Sequence, residues 1–408
     1  MAGRFPCLSC VAFGVILLGV PASAHAQLEY QVVAGASVGV SDNPRSLPDG
    51  AGARTEALLT ALGRLELGYI GRLTRDRVAY GITATSWTGN AGNLALTHTL
   101  NLLSEIEAGA DTRITLSGGA VLTQLSTVDT ALPNNPQTVG PRPAGDQRFF
   151  GADAGETLSW RFGGSWNLHQ GLSCRLYRPL NSETASASNK GLTLDAALAN
   201  SWQLDDAGVR GRFDVMDASG GAPTGVPATA SGVSEFARFD LTWRHRWSAE
   251  FSHDLAGGVF LILADNRRPL PALSASVLWE RTGRQIGLRA EQSATSNIYV
   301  GTIYVQSLVG LRVSLPLGWY DLLLLSAGAD MEHDSSSGAT NGLTGSANVF
   351  SARLGLHWVP GDMFSYGLDY TFRDQRASAA DPGGTSMFAT FRRHLVVFTV
   401  EMRYPSRL

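Results

Sequence analysis

The chain has 408 residues, 32 of them Lys or Arg and 35 Asp or Glu, for a formal net charge of −3. Charged residues make up 16% of it, against roughly 25% in an ordinary soluble domain, so part of the surface lacks the usual charge. An apolar fraction of 44% excludes a disordered chain, and the lack of a basic excess argues against nucleic acid as a partner.

In chain order, Met1 to Arg4 form a short positive region and residues 10–20 (CVAFGVILLGV) an apolar run too short to span a bilayer. Small residues at 22–26 (ASAHA) then stand at cleavage spacing. This reads as a secretory signal peptide, residues 1–26, cut after Ala26, with residues 27–408 as a single domain. Cys7 and Cys10 leave with the peptide, and Cys174 alone cannot form an intramolecular disulfide. The basic residues are Arg except for Lys190, which fits a G+C-rich genome. Beyond residue 26 no run reaches the ~18 uncharged apolar residues of a membrane helix.

Residues 28–41 (LEYQVVAGASVGVS) place Leu28, Tyr30, Val32, Ala36, Val38 and Val40 on one parity, with Glu29, Gln31, Ser37 and Ser41 on the other. Period two over that length predicts a strand with one apolar and one polar face. The pattern recurs near Leu192–Leu204, Phe239–Trp247 and Phe364–Phe372. Eighteen such segments begin near residues 28, 57, 78, 94, 113, 149, 165, 191, 209, 236, 255, 272, 285, 304, 321, 348, 363 and 393. Short connections are expected at 74–77, 163–165, 205–208, 281–284, 316–320 and 359–362. Long ones are expected at 42–56, 126–148, 178–190, 217–235, 331–347 and 374–390. Short turns on one side and long loops on the other predict an all-β fold, a transmembrane antiparallel up-and-down β-barrel of about 18 strands, with 16 possible. A soluble β-sandwich alternates too, but needs about seven to nine strands.

Eight tryptophans, Trp160, Trp166, Trp202, Trp243, Trp247, Trp279, Trp319 and Trp358, fall beside short connections. An aromatic girdle at the periplasmic interface produces that clustering, because indole has an apolar body and a donor that seeks water or headgroups. Trp87 is the exception.

A barrel of 16 to 18 strands is expected to hold an aqueous channel. The inward parity carries Arg64, Arg175, Arg212, Arg244, Arg289, Arg312, Arg353, Arg373 and Arg403 against Glu66, Asp195, Asp240, Glu280, Glu291, Asp369 and Glu401. These either line a pore or form cross-strand ion pairs that stabilise its wall, and the mixed signs predict weak ion selectivity. The loop at 126–148 is the third on the long-loop side. In general porins that loop enters the lumen, so Asp129, Arg142 and Asp146 are candidates for a constriction; the alternative is a solvated flap.

Signals for chemistry are sparse. His98, His245 and His394 fall on apolar parity near strand ends, and His169 and His357 point inward with no evident Ser or Asp beside them. Asp330, Glu332, His333, Asp334 and Ser335 (DMEHDSSS) are expected to lead into a long loop, where crowded polar residues seldom form a catalytic array. GADAG near residue 151 lies inside a strand and lacks the Lys-Ser/Thr of a phosphate loop. No metal motif occurs in the mature chain, so neither a cofactor nor enzymatic activity is predicted.

The chain from residue 27 resembles a Gram-negative outer-membrane β-barrel. More narrowly, SVGVSDNP (residues 37–44), LHWVPGDMFSYGLDYTF (356–372) and LRAEQSATSN (288–297) are similar to barrels associated with exopolysaccharide export clusters. The resemblance implies a wide pore that passes polysaccharide outward and works with a periplasmic polysaccharide-export protein. Outer-membrane lipid and the barrel-assembly machinery are the other expected partners, with Tyr404 as a shifted C-terminal aromatic signal. A diffusion porin, a barrel hydrolase and an adhesive or structural barrel are the alternatives.

Overall fold

The computed structural model describes residues 27–44, 53–90, 94–124, 148–180, 188–218, 232–263, 269–297, 302–317, 323–337, 344–378 and 390–407. Eighteen strands run through them. The first nine are β1 (Gln27–Ser41), β2 (Glu56–Ile70), β3 (Thr74–Trp87), β4 (Ala95–Gly109), β5 (Thr112–Gln124), β6 (Arg148–Phe162), β7 (Trp166–Pro179), β8 (Asn189–Trp202) and β9 (Asp205–Ala218). The rest are β10 (Gly232–Arg246), β11 (Phe251–Ile262), β12 (Pro269–Arg281), β13 (Arg284–Asn297), β14 (Thr302–Pro316), β15 (Leu323–Ser337), β16 (Thr344–Trp358), β17 (Phe364–Ser378) and β18 (Phe391–Arg407). Every start lies within four residues of its expected position.

Each strand pairs antiparallel with its sequence neighbours, and β1 pairs with β18 from Glu29↔Arg407 to Ser41↔Leu395. That last pairing closes the sheet, so the described strands form a barrel with no free edge. The shortest strand has 12 residues and the longest 17. All exceed the ~9–11 that cross a bilayer when tilted. Among the described residues no helix is long and apolar enough to cross a membrane.

One end carries the connections 71–73, 110–111, 163–165, 203–204, 247–250, 282–283, 317–322 and 359–363, all short; the other carries the long ones, with 263–268 and 298–301 as short exceptions. Two expected turns are displaced, since residues 74–77 open β3 and 205–208 open β9. Beyond the apolar band water wets both faces, so a strand continues through TRDR and DDAG without the alternation that reveals it. The even strand count puts Gln27 and Arg407 at the short-turn end, which by the rule for these barrels is periplasmic.

Parity decides what each side chain meets. Leu59, Leu241, Leu288, Val309 and Leu354 are exposed on the outer surface, as a wall facing lipid requires. Trp160, Trp166, Trp202, Trp243, Trp247 and Trp358 are exposed outward beside the short turns. Trp279 faces the same side, half-buried, and Trp319 lies outside the described residues. Trp243 Nε1 donates to Asp205 Oδ1 at 2.9 Å and Trp247 Nε1 to His253 Nδ1 at 2.8 Å. Trp87 instead faces inward near the long-loop end and packs with Leu58 and Leu395. One outward charge breaks the apolar pattern. Glu156 stands four positions above Trp160, in register with Leu116 and Leu172, where a carboxylate faces hydrocarbon at some cost.

Candidate functional site

The inward faces of the strands build the candidate site. Arg64, Glu66, Arg175, Asp195, Arg212, Asp240, Arg244, Glu280, Arg289, Arg312, Arg353, Asp369 and Arg373 all occupy inward register positions. Asp129, Arg142 and Asp146, the expected constriction, lie outside the described residues.

Most of these charges are paired. Arg64 Nη2 is 2.7 Å from Glu66 Oε1, Arg244 Nε is 2.5 Å from Asp254 Oδ1, and Arg289 Nη2 is 3.2 Å from Asp330 Oδ1. Asp240, with no exposed surface, accepts from Arg210 at 2.8 Å and from Arg238 at 2.7 Å. Arg238 extends further, to Glu291 Oε1 at 3.0 Å and Ser293 Oγ at 2.6 Å on β13. A guanidinium supplies five donors in a planar fork, which lets Arg238 tie β10 to β13 while Asp240 ties β10 to Arg210 on β9. Of the two readings left open by the mixed charges, the geometry favours ion pairs that stabilise the wall.

Two expectations about histidines and acids are corrected. His169 Nδ1 is 3.3 Å from Ser159 Oγ and its Nε2 3.6 Å from Asp195 Oδ2, while His357 Nε2 is 3.2 Å from Asp369 Oδ1. The partners sit on adjacent strands, β6, β7 and β8 in one case and β16 and β17 in the other, so linear spacing hides them. Ser159, His169 and Asp195 share the residue types of a nucleophilic triad, but the surrounding backbone N–H groups are engaged in the sheet ladder, where an oxyanion needs free donors. The cluster from Asp330 to Ser335 lies in β15, not in a loop. Strand geometry splits it: Asp330, Glu332 and Asp334 face inward, with Gln306 Nε2 donating to Glu332 Oε1 at 2.5 Å. His333 faces outward and meets Asn348 Oδ1 at 2.8 Å, so no Ser-His-Asp array forms there.

The two halves of the lumen differ. Near the short turns inward side chains are wet: Arg113, Arg244 and Arg403 are half or more exposed. Near the long-loop end every strand buries an inward residue, among them Ser41, Leu58, Thr85, Thr97, Asp334 and Phe391. Phe149, Tyr177, Met216, Phe236, Phe260 and Ala272 pack with Ala294 and Ile303 into one apolar cluster. Strand number alone predicts an open channel throughout; the structure differs because the barrel is not round. β14 approaches β9 and β10 to Cα separations within 8 Å, and the inward aromatic side chains Phe149, Tyr177, Phe236 and Phe260 pack together near the long-loop end.

That pinch sets off β10 to β13 as a lobe. Within it, toward the periplasm, lies a cavity of about 660 Å³ bordered by Arg244, Arg246, Asp254, Arg289 and Arg312.

No protein-family model and no curated protein sequence matches the chain. Among solved structures, the siderophore receptor PirA from Pseudomonas aeruginosa superposes with a TM-score of 0.48 at 8% identity, over 92% of this chain and 80% of that one. Pseudomonas aeruginosa OccK7 (OpdD) gives 0.48 at 8% identity, over 95% and 100%. A bacterial polysaccharide outer membrane secretin gives 0.38 at 10% identity, over 94% and 100%. These are likenesses of shape. The closed antiparallel wall, its apolar outer band and its wet periplasmic half are those of a Gram-negative outer-membrane β-barrel.

Proposed function

We propose that the protein is an outer-membrane conduit that passes polysaccharide from the periplasm to the cell surface. The observation that carries this reading is the asymmetry of the lumen, wet and charged at the periplasmic end and lined by buried, packed side chains at the outer end. A diffusion porin needs both ends open to work. An exporter works with its outer end shut at rest and opened by the polymer it carries, and paired wall charges let a hydroxyl-rich chain slide without binding any one point tightly. A periplasmic export protein would dock at the short turns and deliver the chain. In the same reading residues 1–26 direct the chain to the periplasm, and Tyr404 is read by the assembly machinery.

The test is deletion of the gene in its own host. Polysaccharide should accumulate in the periplasm and disappear from the surface, and a plasmid copy should restore it. Unchanged surface polysaccharide together with impaired uptake of small solutes would replace export with diffusion.

A further inference from the structure

Arg246 and Arg312 differ from the other inward arginines of the lobe. Arg244 has Asp254, Arg289 has Asp330, and Arg210 and Arg238 share Asp240. Neither Arg246 nor Arg312 has a side-chain hydrogen bond or an ion pair among the described residues. Both border the same cavity of about 660 Å³.

The wall around Arg312 is built to leave its guanidinium open. Its register partners are Gly287 on β13 and Gly328 on β15, and the preceding inward position on its own strand is Gly310. All three neighbouring positions therefore lack a side chain to pair with the guanidinium or cover it. Gly310 has a second use, since a Cβ there would collide with Asp330 Oδ1, and its absence lets the Arg289–Asp330 pair lie flat across the strand. Toward the outside the strut from Arg238 to Glu291 and Ser293 crosses the lobe, and beyond it lies the apolar cluster with Phe260 and Ala272. The cavity is thus an alcove, open toward the periplasm and closed outward.

We propose that this alcove binds a carboxylate- or phosphate-bearing saccharide, with Arg246 and Arg312 holding the anionic groups. Planar guanidinia with free donors recognise such oxyanions by paired N–H···O contacts. Ser252, Ser276 and Gln203 supply donors and acceptors suited to sugar hydroxyls, and Leu278 an apolar surface for a ring face. The volume falls in the roughly 300–1,000 Å³ of sites that enclose drug-sized ligands, enough for a short stretch of chain. The inference rests on the export reading for its saccharide and on the cavity for its charge: it makes the cargo acidic and the alcove its first station.

The test is calorimetric titration of the folded full barrel in detergent with tetragalacturonate, maltotetraose and inorganic phosphate. Tetragalacturonate should bind, more weakly as salt is raised, and maltotetraose should bind about tenfold less tightly or worse. Arg246→Gln and Arg312→Gln should each weaken tetragalacturonate by about tenfold, the loss expected for one charge-assisted contact. Heat-modified electrophoretic mobility checks that each variant is folded. Equal binding of the acidic and neutral tetrasaccharides, or unchanged binding by both folded variants, overturns the proposal; phosphate binding as tight as tetragalacturonate overturns its saccharide part. Failure here, with surface polysaccharide lost in the deletion strain, removes only the acidic cargo. Binding intact with no export defect removes the conduit and leaves an anion site.

Discussion

Arg238 and Arg64 show how much a residue's setting matters. Both carry one positive charge on the inner wall, yet the Arg238 side chain is 6% exposed and its partner Asp240 0%, whereas Arg64 is 49% exposed. Replacing Arg238 leaves the fully buried Asp240 with Arg210 as its remaining partner and takes the guanidinium from Glu291; breaking a buried pair costs up to about 3–5 kcal/mol. An exposed pair contributes about 0–1 kcal/mol. Arg238→Met should therefore lower stability by several times more than Arg64→Met, measured by urea unfolding in lipid vesicles. Equal losses would mean that the strut from β10 to β13 bears no strain. The positions of these arginines on the inner face were legible from parity alone. So were the near partners Glu66 and Asp240, two residues along the same strands, but Glu291 and Ser293 meet Arg238 only when β10 and β13 curve around one lobe.

At the scale of elements, the tight turn between β12 and β13 has a flaw that can be repaired. Thr282 and Gly283 both have positive φ, 47° and 75°, the geometry of a two-residue turn with mirror-image twist. Gly adopts it freely, but a β-branched residue there is a steric outlier, at a cost of about 1–2 kcal/mol. Thr282→Asn restores the preferred Asn-Gly pair and should raise stability by about 1 kcal/mol. Gly283→Ala should lower it by a similar amount, and thermal unfolding of both variants checks the sign. Strands were readable because a membrane barrel imposes period two on nearly every segment. The turns at 74–77 and 205–208 were misplaced because that period ends with the lipid. The cluster at Asp330–Ser335 was assigned to a loop for the same reason: its inward acids and its outward His333 both lie past the apolar band, where polarity marks strand and loop alike.

For the whole molecule the decisive feature is the closed outer half. Phe236, Phe260 and Tyr177 meet there from three separate strands, and an apolar constriction of that kind blocks ions by excluding water. The wild-type barrel in a planar bilayer should carry little steady current. Phe236→Ser with Phe260→Ser should open a persistent conductance of weak ion selectivity, since the wall beneath carries both signs. A large steady current from the wild type would show that the cluster yields readily and would return the diffusion porin to first place.

The sequence by itself determined the class of molecule: eighteen amphipathic strands, two kinds of connection, tryptophans at one interface and charges on one parity. Each of these is written locally, in the two-residue period and in the spacing of turns, so a linear reading recovers it. Only the tertiary structure decided the shape of the lumen. Whether eighteen strands enclose an open channel or a pinched one depends on how far β14 approaches β9 and β10 and on which aromatic side chains meet across the space. The same holds for Arg312, flanked by Gly287 and Gly328 on the strands beside it. Those relations join residues tens of positions apart, and no local period encodes them.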